Sequence, residues 1–488
     1  MFRSFFYFIF FRMNHQPFIR AVVIFLCGGF LVFTSCDRNG NEAPPPAGDD
    51  VMQWITKGDQ SALLQDAGGI DFIQKKPDLT IIDIDTTQKY QTIDGFGFSL
   101  TGGSAYLINQ KLTPAVREKL LRELFDRDNG IGISYLRISV GASDLDSHVF
   151  SYNDLPAGKS DKEVKQFSMA EDQSDLIPVL KQIVAISPDI KIMGSPWSAP
   201  PWMKTNNSFK GGSLKKEHYG SYATYLVKYI QAMEKEGIRI DALTLQNEPE
   251  NPKNNPSMLM TSSEQAEFVK TNLGPAFEKE GIKTRIVVFD HNCDHPNYPI
   301  EVLNDADASK YIDGSAFHLY LGDIEALSSV QQAHPDKNIY FTEQWTSPQG
   351  SFDGDLRWHT KNLIVGATRN WSRNVLEWNL AADPQFNPHT DQGGCTSCLG
   401  ALTIGDTVSR NVSYYIIAHA SRFVPPGSIR VASNINGDLH NVAFVTPDNK
   451  KVLIVVNDSH EAKDFALGFN NQWAPVSLAG SSVGTYVW

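Results

Sequence analysis

The sequence predicts an α/β fold: a (β/α)8 TIM barrel with a side β-sandwich formed from both ends of the mature chain. Three observations carry this. From about residue 95 to 420, short apolar runs alternate with helix-like stretches, as expected for parallel strands buried on both faces and joined by crossover helices. Two of these runs end in a glutamate, Glu248 in Leu243-Thr-Leu-Gln-Asn-Glu248 and Glu343 in Ile339-Tyr-Phe-Thr-Glu343, and strand C-termini are where such a barrel collects its reactive groups. After Pro425-Pro426-Gly427 the pattern changes to short strands separated by turns.

The N-terminus reads as a targeting segment. Ala21 to Phe33 is an apolar stretch too short to span a membrane as an ordinary helix, preceded by Arg20 and followed by Thr34-Ser35-Cys36. Small residues before a cysteine resemble a bacterial lipobox, so residues 1–35 are expected to be a lipoprotein signal peptide and Cys36 the lipid attachment point. A plain signal peptide with an incidental cysteine is the alternative, and Met13 is a second candidate start. Residues 36–75 read as a tether and N-terminal extension, with Pro44-Pro45-Pro46 in the tether.

Leu79 to Ile84 has strand character and opens the sandwich, assigned to residues 76–94 plus 425–488. The catalytic barrel is assigned to 95–424. Its strands are expected at 95–99, 135–139, 191–195, 242–246, 285–290, 315–318, 338–342 and 374–378. Thr113-Pro114 offers a helix N-cap with proline at the first helical position, and Ser262 with Gln265 a capping box. In the tail, residues 442–446 and 452–457 flank Pro447-Asp-Asn-Lys450 as a hairpin, and Gly484 to Trp488 forms a closing strand.

Composition narrows the function. The chain has 488 residues, 41% hydrophobic and 11% aromatic, enough for a large core and a smaller companion. The first 35 residues carry three arginines and no acid, so their removal takes the formal charge from −12 to −15. That balance argues against nucleic acid and anionic surfaces and is compatible with a neutral, sugar-like substrate. Among the cysteines, Cys395-Thr-Ser-Cys398 invites comparison with zinc and thioredoxin motifs, but no second ligand pair stands at matching spacing. A local disulfide fits an exported protein better, and two free thiols remain open, as does the state of Cys293.

Glu248 and Glu343 are candidates for an acid and a nucleophile. If the barrel brings them roughly 5 Å apart, they suit a retaining glycosidase. Asn247 beside Glu248 is suited to holding a sugar 2-hydroxyl, although a polar turn closed by Pro249 explains the tripeptide equally well. Glu343 taken alone fits a buried ion pair. Gly194-Ser-Pro-Trp-Ser-Ala-Pro-Pro-Trp-Met-Lys-Thr-Asn206 places Trp197 and Trp202 on a proline-stiffened loop, and indoles offer a flat face and an N–H donor to a sugar ring.

This tract, with Gln246-Asn-Glu-Pro249, Phe317-His-Leu-Tyr320 and Phe341-Thr-Glu-Gln344, resembles glycoside hydrolase family 30, the glucosylceramidase-like family. The likeness runs from Ile93-Asp-Gly-Phe-Gly-Phe-Ser-Leu-Thr101 through Leu136-Arg-Ile-Ser139 and Gly141-Ala-Ser-Asp144 to Leu376-Glu-Trp-Asn379 and Ser421-Arg-Phe-Val-Pro-Pro-Gly-Ser428. The resemblance implies that Glu248 is the acid/base on the fourth strand and Glu343 the nucleophile on the seventh. It also implies that Asn247 binds the 2-hydroxyl, that Arg137, His318 and Tyr320 orient the nucleophile, and that Trp197 and Trp378 line the sugar subsite. A core histidine and a structural arginine are the plainer readings of His318 and Arg137.

The resemblance further implies a β-glucan or other β-glycoside as substrate, with β-1,6-glucan first. It implies no cofactor or metal, no nucleic-acid partner, and contact with a membrane only through the N-terminal lipid of an exported protein. A non-catalytic glycan-binding lipoprotein is the competing class. One departure stands out: many relatives carry Thr-Asp where this chain reads Thr101-Gly102, so a contact to the far hydroxyls is missing at that position. Such an opening favours an internal sugar unit and endo cleavage. Glu248 is expected to have a raised pKa, through the charge of Glu343.

Overall fold

The computed structural model describes residues 50–488. The expected signal peptide, Cys36 and the tether up to residue 49 lie outside the described residues. Eight parallel strands close into a barrel: β1 (Gly95–Ser99), β2 (Tyr135–Ser139), β3 (Lys191–Ser195), β4 (Ala242–Thr244), β5 (Arg285–Asn292), β6 (Ile312–His318), β7 (Asn338–Glu343) and β8 (Ser372–Asn379). Nearly every residue in them is buried, which is why they read as apolar runs.

Side chains alternate along a strand, so inward positions recur every second residue. Tyr135, Met193, Ala242, Val287, Ala316, Tyr340 and Leu376 form a separate buried cluster, the apolar floor of the barrel. Two residues further along six of these strands stand Arg137, Ser195, Thr244, His318, Thr342 and Trp378, nearly all polar. β5 breaks the rule. Its pairing with β6 shifts register between Phe289 and His291, and Phe289 and Asp290 both take positive φ, 71° and 69°. The bulge turns Phe289 outward against Tyr298 and Phe317 and puts Asp290 inside.

Helix starts follow local chemistry. Thr113 caps Pro114–Phe125 with proline in its first turn, as expected. The capping box lies one residue earlier than expected: Thr261 and Glu264 close it, while Gln265 is buried and its Oε1 accepts the Phe289 N–H. Adjacent Thr, Ser, Glu and Gln residues offer two overlapping matches, and burial of Gln265 decides between them.

The sandwich is built around one long strand, Thr80–Thr92, which pairs in parallel with Lys463–Phe469 through its first residues and antiparallel with Ile429–Ser433 through the rest. Leu439–Val445 and Lys451–Asn457 form the expected hairpin, and Ser482–Val487 closes the chain. The span expected to be an extension, 36–75, instead contributes two strands, Val51–Lys57 and Gln65–Ile70. The first pairs along its length with Ser482–Val487, so the described start and the end of the chain are hydrogen-bonded neighbours. Among the described residues no helix is long and apolar enough to cross a membrane.

Candidate active site

Glu343 is the last residue of β7, whereas Glu248 stands four residues beyond the short β4. Glu248 has φ 46°, a left-handed conformation that costs a side-chain-bearing residue about 1–3 kcal/mol. Its neighbours hold it there: the Asn247 N–H donates to the Pro196 carbonyl at 2.8 Å and the Glu248 N–H to the Asp290 carbonyl at 3.0 Å. The turn thus aims Glu248 back over the barrel, where its carboxylate lies within 4.8 Å of Glu343, oxygen to oxygen. That separation belongs to retaining rather than inverting glycosidases, whose carboxylates stand roughly 6.5–9.5 Å apart.

Arg137, Trp197, Asn247, His318, Tyr320 and Trp378 converge on the two glutamates, whereas Trp202 does not: its indole N–H donates to Asn153 and its ring lies against His218. Arg137, without solvent exposure, donates through Nη1 to Glu343 Oε2 at 2.6 Å and through Nη2 to Asn247 Oδ1 at 2.6 Å and Asp290 Oδ2 at 2.8 Å. Its engagement of Asn247 Oδ1 leaves the amide N–H2 free to donate to a ligand. The Tyr320 hydroxyl donates to Glu343 Oε1 at 3.0 Å. Trp197 and Trp378 stack at 5.5 Å, with the Arg137 guanidinium 4.7 Å from the Trp197 ring. The buried Trp197 Nε1 has no hydrogen-bond partner.

Asp290 was not singled out from sequence, yet it is the hub of the network. Oδ2 accepts from Arg137, Ser195 and Thr244, and Oδ1 from Thr342 at 2.7 Å and His318 at 3.1 Å. Burial opposes its ionisation, but Arg137 and then His318 and Thr342 hold it well below the usual carboxylate range. The rule that picked the two glutamates applies equally to Val287-Val-Phe-Asp290, a carboxylate ending an apolar run. Asp144 was also missed as a site group; burial, then the charges of Glu343 and Glu248, push it up to about 8.

The electrostatic order of the pair reverses the sequence expectation. Burial alone would raise Glu248, but the His318 hydrogen bond and charge, the His291 charge and the Asn251 amide hold it down to about 2. Two loop amides, from Asn251 at 2.7 Å and Asn254 at 2.9 Å, cap its Oε2. Glu343 is raised, because burial together with Glu248 and Asp290 outweighs His318 and Arg137. His318 is itself raised to about 9: burial works against protonation, and the charge of Glu343 with the Asp290 and Glu248 contacts overcomes it. As an imidazolium it donates on both sides, to Asp290 and, at 3.4 Å, to Glu248 Oε1.

Among the described residues, Glu248, His318 and Glu343 are the one group close enough to share a metal ion. Protonated His318 and Arg137 put positive charge where that ion would sit. Gly102 is not the opening expected from sequence. A Cβ there would fall 1.7 Å from Asp146 Oδ1, so the glycine makes room for a carboxylate supplied by another loop. Asp146 is anchored through Oδ2 by the backbone and hydroxyl of Ser143. Cys395 and Cys398 form a disulfide packed near Trp197 and Trp378, and Cys293 is a buried free thiol.

With this geometry in place, likeness to known proteins becomes specific. The description of the glycosyl hydrolase family 30 TIM-barrel domain matches residues 93–424, and that of the family's β-sandwich domain matches residues 427–486. An endo-1,6-β-D-glucanase of Aspergillus fumigatus is 33% identical over 406 residues, 78% of this chain and 81% of that protein. The lysosomal acid glucosylceramidase of Mus musculus is 29% identical over 442 residues, 84% of this chain and 83% of that one. A solved endo-β1,6-glucanase superposes with a TM-score of 0.84 at 34% identity, over 90% of this chain and 99% of its own. The chain is a glycoside hydrolase and belongs to glycosyl hydrolase family 30.

Proposed function

We propose that the protein is an endo-β-1,6-glucanase that hydrolyses its polysaccharide with retention, through a covalent glycosyl-enzyme. The observation that carries the mechanism is the separation of at most 4.8 Å between the Glu248 and Glu343 oxygens. The substrate reading is supported by relatives named as endo-1,6-β-D-glucanases, at 31–33% identity in three fungi. Glu343 attacks the anomeric carbon while Glu248 protonates the departing oxygen; Glu248 then takes a proton from water as water releases the sugar. The amide of Asn247 donates to the 2-hydroxyl, and the free Trp197 N–H supplies a further donor.

In the unliganded site Glu343 is raised and Glu248 is held down, so a proton that enters the pair goes first to Glu343. For Glu248 to act as acid, the proton must reside there once substrate is bound, and a glycosidic oxygen replacing an amide donor on Oε2 favours that transfer. A panel of linkage-defined β-glucans, with product lengths recorded, tests the proposal. Mixed oligosaccharides from β-1,6-glucan are expected. Release of glucose alone, or turnover confined to glucosylceramide, contradicts it.

We also propose export and lipid anchoring at Cys36, supported by the apolar run and Thr34-Ser35-Cys36. Incorporation of a labelled fatty acid in wild type and its loss in Cys36→Ser is expected; equal labelling of both contradicts it.

A further inference from the structure

The barrel order divides the rim between Glu248 and Glu343 into two arcs. Going one way from β4 to β7, only β5 and β6 intervene; going the other, β3, β2, β1 and β8 do. The longer arc carries the Trp197–Trp378 stack and the Gly102–Asp146 contact, groups suited to one boxed sugar ring. A bond cleaved between the two glutamates leaves the departing group on the opposite side, over the loops after β4, β5 and β6.

A groove of about 560 Å3 lies there, beginning at Glu248 itself and continuing along Glu250, His291, His295 and Leu321. Its volume falls within the roughly 300–1,000 Å3 usual for small-ligand sites. Glu250 Oε2 is fixed by His295 Nδ1 at 2.7 Å, while no hydrogen bond engages its Oε1 among the described residues. His291, 8% exposed, turns Nδ1 toward the same Oε2 from 3.7 Å, too far to bond, and that nitrogen has no partner. Leu321 is 59% exposed on the same loop as Tyr320.

We propose that this groove is the leaving-group subsite, taking the neutral glycosyl unit whose hydroxyl is freed, with Glu250 holding its ring hydroxyls and Leu321 lying against its apolar face. A fixed carboxylate with one open oxygen beside imidazoles is suited to vicinal hydroxyls. The inference rests on the glycanase reading of the same site.

The test compares two substrates that share the glycone and differ in what departs: an aryl β-gentiobioside and a β-1,6-linked glucotriose. In Glu250→Gln, kcat/KM for the trisaccharide is expected to fall about tenfold and that for the aryl glycoside, whose leaving group has no ring hydroxyls, to change less than about twofold. Equal losses on both substrates, or no loss on either, overturn the subsite. Failure of the β-1,6-glucan reading shows separately, as a wild-type enzyme inactive on the trisaccharide.

Discussion

Asp290 and Arg137 form an ion pair at 2.8 Å in which neither side chain has any solvent exposure. Arg137 is shared with Glu343 and Asp290 with His318, so the pair ties the nucleophile to the floor of the site. Removing one partner of a buried pair strands the other, at about 3–5 kcal/mol. Asp290→Ala is therefore expected to lower stability by that amount in denaturant unfolding. Asp290→Asn, which keeps the shape, is expected to retain most of the stability but lose activity, as Arg137 and His318 lose their countercharge. Full activity in Asp290→Asn contradicts the role.

The amides on Glu248 make a prediction about pH. A donor to an ionised carboxylate lowers its pKa, so removing one raises it. Glu248 sits at about 2 with the Asn251 and Asn254 amides in place. In Asn254→Leu the acid limb of kcat/KM, which reports the free enzyme, is expected to move to higher pH. An unchanged acid limb, with only KM altered, assigns Asn254 to substrate contact instead.

Gly102 and Asp146 compete for one volume. A methyl group 1.7 Å from Asp146 Oδ1 cannot be accommodated without moving that carboxylate, and overpacking costs about 1–3 kcal/mol. Gly102→Ala is expected to lower the melting temperature, and Gly102→Ala combined with Asp146→Ala to restore most of it. If the double variant is no more stable than the single, the clash is not the cause.

Much of this was legible in sequence, for reasons that differ by element. The eight barrel strands are buried on both faces, so their apolar runs were plain. Gln65–Ile70, by contrast, is an exposed edge strand reading Gln-Asp-Ala-Gly-Gly-Ile, with no apolar alternation to mark it. Both glutamates stood out as strand-end carboxylates, and Asp290 ended a run just as apolar; its inward turn depends on a bulge that no local pattern announced. The low pKa of Glu248 was illegible because its causes, His318, His291, Asn251 and Asn254, come from three different segments. Gly102 was misleading in isolation, since the carboxylate filling its place lies 44 positions further along.

The assignment of Glu343 as nucleophile and Glu248 as acid/base is tested most directly by azide rescue of Glu343→Ala and Glu248→Ala on an aryl β-glycoside, with the product anomer read by proton NMR. In Glu343→Ala, azide replaces the nucleophile in a single displacement and the α-glycosyl azide is predicted. In Glu248→Ala, azide intercepts the glycosyl-enzyme and the β-glycosyl azide is predicted. The reverse pairing of anomer and variant, or wild-type turnover in Glu343→Ala without azide, contradicts the account.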